Sequence, residues 1–132
     1  MKFTRRHTLA ALALAATALS PFAAYAQEVV KIGVILPMTG PSASTGREIV
    51  AAIKLFQEQK GDKAGGKKVE VIVKDDTGVA DITKRLAQEL VVNDKVAAIA
   101  GFGLTPLALA AAPIATQAKV PQIVMAAGTA II

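Results

Sequence analysis

Cysteine and tryptophan are absent from this 132-residue sequence, and its single histidine is His7. The lack of cysteine excludes disulfide bonds, a lipid anchor on an N-terminal cysteine and zinc sites built from thiolates. Because the histidine lies so close to the start, the rest of the chain has none for a metal site or a catalytic triad. The sequence therefore predicts a protein with no metal ion and no cofactor.

The glycine-rich segments do not match nucleotide-binding motifs. In residues 40–47, Thr45 stands where a phosphate-binding loop has its second glycine, and no Gly-Lys-Ser/Thr follows. Further along, Gly101-Phe102-Gly103 is followed by Pro106 where a dinucleotide motif has its third glycine. A nucleophile elbow of the type Gly-x-Ser-x-Gly is also missing. We therefore expect no enzymatic activity, and an enzyme with a Rossmann-like domain is the least favoured alternative.

Residues 1–26 have the pattern of a cleavable secretory signal peptide. Basic residues at positions 2, 5 and 6 precede an apolar run over residues 9–19, and Ala24-Tyr25-Ala26 is a typical cleavage site. The apolar run is shorter than the roughly 20 residues that span a bilayer. The Arg5-Arg6 pair resembles a twin-arginine signal, but Thr8 is polar where that signal usually has an apolar residue, so general secretion is favoured. The pattern predicts export to the periplasm, with no membrane insertion after cleavage.

The basic character of the sequence comes mostly from this leader. Cleavage after Ala26 removes three basic residues and no acidic one, which lowers the formal net charge from +5 to +2. A nearly neutral mature chain does not favour nucleic acid as a partner.

Strand and helix patterns alternate along the rest of the chain. Short apolar runs predict four strands, at residues 29–36, 69–73, 96–100 and 122–125. Apolar residues at helical spacing predict three intervening helices, the first starting with a Thr45/Glu48 capping box and the last with a kink or restart at Pro113. The alternation indicates right-handed βαβ units and therefore an α/β fold, with a parallel sheet flanked by helices.

Two charged pairs are given structural interpretations. Asp75-Asp76 follows the second predicted strand and could be a catalytic carboxylate pair, but adjacent residues at a strand end point in opposite directions. Turn formation and helix capping are therefore favoured for them. Lys67-Lys68 is interpreted as a solvated, hairpin-like edge.

Three loops follow the carboxyl ends of predicted strands, at residues 37–46, 101–105 and 126–129, and should meet at one edge of the sheet. Their glycine, serine, threonine and alanine residues allow close backbone approach and offer donors without formal charge. Thr105 is predicted to be an N-cap, with Pro106 at the first helical position. Such an edge suits the carboxylate of a small ligand, although ordinary βα turns have the same composition.

The sequence resembles the type I periplasmic binding proteins, in particular the leucine/isoleucine/valine-binding proteins of ABC importers. The resemblance rests on residues 31–41 followed by Gly46, Asp75-Asp76, residues 101–105, Val120-Pro121 and Ala127-Gly128-Thr129. It implies a two-lobed clamshell that closes on an amino acid or related small carboxylate and docks on membrane permease subunits. A ligand-sensing receptor module of the same fold is the alternative. The resemblance also implies an N-terminal fragment, in which residues 27–132 are the first part of lobe 1 and the second lobe is absent.

The resemblance implies ligand-binding roles for five residues in the second and third loops. Thr105, Ala127 and Thr129 would hold the ligand's carboxylate and amino groups. Gly103 and Leu104 would line the same pocket, through the main chain and the side chain respectively.

Two departures from the family pattern bear on ligand choice. Thr45 stands at about the place of an aromatic residue in the family's first loop, and Phe102 is bulkier than expected beside the pocket. The resemblance therefore predicts that both residues line the site, which would be wider than usual or tolerant of aromatic ligands.

Overall fold

The computed structural model describes residues 28–128, so the predicted signal peptide and Thr129 lie outside the described residues. The elements follow one another as β1 (Val29–Leu36), α1 (Ala43–Lys60), β2 (Lys63–Ala64), β3 (Lys67–Asp75), α2 (Ala80–Val92), β4 (Ala98–Gly101), α3 (Thr105–Ala118) and β5 (Gln122–Val124). The predicted alternation of strands and helices is confirmed.

The strands form one sheet in the order β2-β3-β1-β4-β5. β3, β1, β4 and β5 are parallel, as the sequence predicts. β2 is an addition: it runs antiparallel to β3 and pairs Lys63 with Lys68. The chain reverses between the two strands at Gly65 and Gly66, which both have positive φ angles and so suit a tight hairpin turn. This hairpin agrees with the interpretation of Lys67-Lys68 as an edge.

Side chains from the central strands are buried on both faces of the sheet. On one face, Ile35 and Ile99 pack into a core with residues of α2 and α3. On the other face, Val34, Leu36 and Ala100 pack towards α1. Because successive residues of a strand point to opposite faces, burial of both faces requires the continuous apolar runs seen in the sequence.

The third predicted strand begins two residues later than its apolar run. Val96 is buried, but its N–H donates to Leu90 O at 3.1 Å, so it closes the end of α2. The N–H of Ala97 donates to Lys31 O at 2.8 Å, and the strand starts with the next residue. Hydrophobicity therefore located the buried segment but not the first residue of the ladder.

The capping box predicted for the first helix is wrong, and of the kink or restart predicted at Pro113 the restart is wrong. α1 begins at Ala43, with Ser42 as N-cap and no side-chain capping bond, so Thr45 and Glu48 do not form a capping box. α3 runs unbroken through Pro113, so the helix does not restart there. Pro113 is exposed and follows the exposed Leu109, whose carbonyl loses the helical bond, so water can reach this part of the helix.

Candidate functional site

Three loops meet at the carboxyl edge of the sheet, as the topology requires. We call this surface the rim and define it as residues 37–46, 101–105 and 126–128. The Phe102 N–H donates to Ile35 O at 2.8 Å, next to the first loop, and the Met125 N–H donates to Gly101 O at 2.8 Å, before the third. The predicted convergence of the three loops is therefore seen in the described part of the chain.

Glycine residues allow the first two rim loops to pack closely. A Cβ at Gly103 would lie 2.7 Å from Pro37 Cγ, and a Cβ at Gly46 would overlap the Pro37 carbonyl. Gly101 has a φ of +113°, and a Cβ there would overlap the Ile35 carbonyl. These positions need glycine because the backbone approach leaves no room for a side chain, which agrees with the close approach expected from the sequence.

Thr105 links the second and third rim loops. Its hydroxyl donates a hydrogen bond to Gly128 O at 3.2 Å. The prediction that Thr105 is the N-cap is wrong, because Leu104 occupies that position and Thr105 is the first residue of α3. The side chain is thereby released from capping and can reach across the rim.

The start of α3 offers fewer backbone donors than the sequence suggests. Pro106 has no N–H, and the N–H groups of Leu107 and Ala108 both donate to Leu104 O, at 3.1 and 3.3 Å. Among first-turn groups, this leaves the Thr105 N–H to attract an anion. The N–H and the hydroxyl of Thr105 are therefore the main hydrogen-bond donors on this side of the rim.

The Phe102 side chain lies in the core and not on the rim. It is fully buried and packs in the cluster formed with α2 and α3, so a direct side-chain contact with ligand, as predicted from the sequence, does not fit its position. The residue has a φ of 67°, a left-handed conformation that costs a non-glycine residue about 1 to 3 kcal/mol. Burial of the ring offsets this cost and holds the turn in shape.

The other predicted site residues are distributed around the rim. Leu104 is 40% exposed, which suits a side chain available to a ligand. Thr45 is half-buried in the first turn of α1, and Ala127 is half-buried with its methyl group against the core. Thr129 lies outside the described residues.

Asp75, at the end of β3, contacts the first rim loop, a role that the sequence did not reveal. Its carboxylate accepts hydrogen bonds from the Met38 N–H, the Thr39 hydroxyl and the Thr77 N–H, each at 2.8 Å. Partial burial alone would raise the pKa of Asp75, but the hydrogen bonds from Thr77, Thr39 and Met38 outweigh it and lower that pKa below its usual value. The pairing of Leu36 with Asp75 across β1 and β3 brings the carboxylate to the first rim loop.

Asp76 has a different partner set, so the two acidic residues do not form a catalytic pair. It is fully buried and accepts hydrogen bonds from the Gly78 N–H and the Thr83 hydroxyl, both at 3.0 Å. These contacts fold the β3–α2 turn and fasten it to α2. The prediction of turn formation is confirmed, although the N-cap of α2 is Val79.

An apolar groove of about 640 Å³ lies away from Thr105, between α1 and the sheet. Its lining includes Ile49, Ile53 and Phe56 of α1 and Val69 and Val71 of β3. It contains none of the predicted ligand-binding residues. Polar donors and close backbone approach converge at the rim, whereas the groove is almost purely apolar.

In a mainly parallel α/β sheet, the loops at the carboxyl edge are the usual place for a small-ligand site. Residues 29–130 match the family model described as periplasmic binding protein. The chain therefore belongs to the periplasmic binding protein family, as its sequence pattern predicts.

Proteins similar to this chain are binding proteins. The chain is 46% identical over 123 residues to "Leu/Ile/Val-binding protein homolog 6" of Brucella abortus, across 92% of this chain and 31% of that protein. It is 67% identical to a solute-binding protein of an ABC transporter from Rhodopseudomonas palustris, solved with 3,4-dihydroxybenzoic acid. That match has a TM-score of 0.77 and covers 78% of this chain and 28% of the solved one.

A second solved structure from R. palustris, a solute-binding protein in complex with 4-hydroxybenzoate, is 41% identical with a TM-score of 0.74. The match covers 77% of this chain and 28% of the solved chain. The chain thus spans about a third of the length of the proteins it matches. Membership of this family implies an extracytoplasmic location, and between residues 28 and 128 no helix combines the length and apolarity needed to cross a bilayer.

Proposed function

We propose that the protein containing this chain is the periplasmic substrate-binding component of an ABC importer, and that the rim binds the carboxylate of a small acid. The observation that carries this proposal is the meeting of three loops that contain no charged residue, joined by the bond from Thr105 to Gly128. Neutral donors at the carboxyl edge of a parallel sheet suit a single carboxylate.

Thr105 is the proposed anchor for the carboxylate. A hydroxyl has one hydrogen, which in the structure goes to the neutral carbonyl of Gly128. A ligand carboxylate would compete for it with a charge-assisted bond of about twice the strength. The N–H of the same residue adds a second donor. Gly103, Leu104 and Ala127 are proposed to line the site around this anchor, together with Thr129 and Thr45.

Two ligand classes are supported by the relatives, and they share the carboxylate. The Brucella relative is named for leucine, isoleucine and valine, whereas the 67% identical solved structure holds 3,4-dihydroxybenzoic acid. An amino acid also carries an ammonium group, for which the three rim loops have no acidic side chain, so its partner would have to come from the second lobe. The higher sequence identity to the structure that holds 3,4-dihydroxybenzoic acid therefore favours a hydroxylated benzoate.

The family also supports a cellular setting for the protein. We propose that residues 1–26 direct export and are removed, and that residues 27–132 form the first part of lobe 1. A second lobe would close over the ligand, and the closed form would dock on the membrane permease subunits of the importer.

Isothermal titration calorimetry of the full-length protein tests this proposal with 3,4-dihydroxybenzoate, 4-hydroxybenzoate and leucine. We expect binding of at least one benzoate, and we expect Thr105→Val to weaken it by about 10-fold or more because the carboxylate loses a hydroxyl donor. Thr105→Ser keeps the hydroxyl and is the matched control. If none of the three compounds binds, the proposed ligand class is wrong; equal affinity in the valine and serine variants would remove Thr105 from the site.

A further inference from the structure

The β1–α1 loop forms one wall of the rim, and its shape depends on few contacts. Pro37 is buried against Gly103, and Gly46, in the first turn of α1, lies against the Pro37 carbonyl. Between these two points the loop passes through Thr39 and Gly40, which are exposed. An exposed loop segment loses conformational entropy when it is ordered, so specific contacts are needed to hold it.

Asp75 supplies those contacts from the neighbouring strand. One carboxylate oxygen, Oδ1, accepts the N–H groups of Met38 and Thr77, and the other, Oδ2, accepts the Thr39 hydroxyl. A single side chain thus joins the β1–α1 loop to the β3–α2 turn. Hydrogen bonds to an ionised carboxylate are among the stronger ones in proteins.

The geometry points to Asp75 as a positioning residue that holds the first rim loop in its ligand-binding shape, an inference that rests on the proposed binding function of the rim. Asp75 does not itself reach the ligand in this assignment. It acts through Met38 and Thr39, which follow the proline packed on Gly103. Loss of its charge would free the loop while the core beneath it stays packed.

The carboxylate of the adjacent Asp76 accepts no hydrogen bond from the described residues of the first rim loop, so the positioning role is specific to Asp75. Asp76 is fully buried and bonds Gly78 and Thr83 within the β3–α2 segment. Asp75 is half-buried, and two of its three partners lie 36 and 37 positions away in the chain. Two neighbouring carboxylates thus have separate tasks: one organises a turn, and the other connects that turn to the rim.

The test compares Asp75→Asn with Glu70→Gln in the full-length protein. Glu70 is an exposed carboxylate on the same strand, away from the rim, so its neutralisation is a matched control. We expect Asp75→Asn to weaken 3,4-dihydroxybenzoate binding by about 10-fold or more, with faster amide exchange at Met38 in protein without ligand. Glu70→Gln should change neither. Unchanged affinity and unchanged exchange in Asp75→Asn would overturn the assignment.

A milder pair guards against global destabilisation of Asp75→Asn. Thr39 is exposed, so Thr39→Val removes its hydroxyl bond without opening the core, whereas Thr39→Ser retains the bond. We expect weaker binding and faster Met38 exchange only in the valine variant, at a melting temperature close to that of the wild type. If affinity falls only in proportion to melting temperature across all four variants, the role of Asp75 is purely structural.

The exchange measurement separates this inference from the proposed function. It is made without ligand, so it reports on the loop even if the wild-type protein binds no benzoate. Slow exchange at Met38 in the wild type and fast exchange in Asp75→Asn would then support the positioning role and contradict only the ligand class. Equal exchange in both proteins would contradict the positioning role whatever the ligand.

Discussion

Pro37 packs on Gly103 so closely that a Cβ at position 103 would lie 2.7 Å from the proline Cγ. The contact joins two loops that are separated by more than sixty positions in the chain. It couples the shape of the first rim loop to that of the second. Because the proline ring is stiff and buried, a side chain at position 103 can be accommodated only by moving backbone.

Gly103→Ala should therefore lower the free energy of unfolding by about 1 to 3 kcal/mol, a typical cost of overpacking. Gly128→Ala is the matched control, since a Cβ there meets nothing within 4 Å. Urea unfolding of the full-length variants measures both changes. A Gly103→Ala protein as stable as Gly128→Ala would show that the two loops part readily.

The positions of Phe102 and Leu104 predict opposite consequences of mutation. Phe102 is fully buried, so Phe102→Leu should cost about 1 to 2 kcal/mol of stability and leave the preference among ligands unchanged. Leu104 is 40% exposed at the rim, so Leu104→Ala should alter affinity for 4-hydroxybenzoate at a stability cost below about 1 kcal/mol. Urea unfolding and calorimetry on both variants check this. A change of ligand preference in Phe102→Leu would show that the Phe102 side chain does contribute to ligand binding.

The buried bond between Thr83 and Asp76 predicts a clear effect on stability. Thr83→Val keeps the shape of the side chain but leaves Asp76 Oδ2 without its hydroxyl donor, which should cost about 2 kcal/mol. Thr83→Ser retains the donor and loses one methyl group, at a cost of about 1 kcal/mol. Denaturant midpoints at pH 7 distinguish the two variants, and a valine variant no less stable than the serine variant would contradict the importance of this bond.

The lowered pKa values of Asp75 and Glu89 predict how the stability of the protein depends on pH. Hydrogen bonds lower the pKa of Asp75 in the folded state, although its burial acts in the opposite direction, and the bond to Lys74 lowers the pKa of Glu89. A group with a lowered folded pKa contributes stability above its unfolded pKa and loses it as the pH falls through the folded value. Stability should therefore decline from about pH 4 downwards.

Asp75→Asn should make that acid-induced decline shallower, because the asparagine side chain does not titrate. Melting temperatures of the full-length protein and the variant between pH 3 and pH 7 provide the measurement. Thr39→Val, which removes one donor to the Asp75 carboxylate, should make the decline shallower than in the wild type but steeper than in Asp75→Asn. Identical pH profiles for the wild type and Asp75→Asn would show that Asp75 has the same pKa folded and unfolded.

Much of the architecture could be predicted because burial on both faces of a parallel sheet imposes a visible pattern. β1 matches its apolar run residue for residue. The β2 hairpin was less visible, since its two residues are exposed and carry no apolar pattern. The Thr45 and Thr105 capping predictions failed because the N-cap preference of threonine does not prevent it from lying one to three positions inside a helix.

The composition and order of residues alone determined the fold class, the family and the uncharged character of the rim. These follow from periodic burial and from residue types, both of which are local properties of the chain. Only the tertiary structure decided which rim residues are accessible. Phe102 and Leu104 are near neighbours in the sequence, yet the left-handed backbone at Phe102 sends one side chain into the core and leaves the other on the surface. The hydrogen-bond partners of Asp75 could not be predicted from the sequence either, because the pairing of β1 with β3 brings together groups that are far apart in the chain.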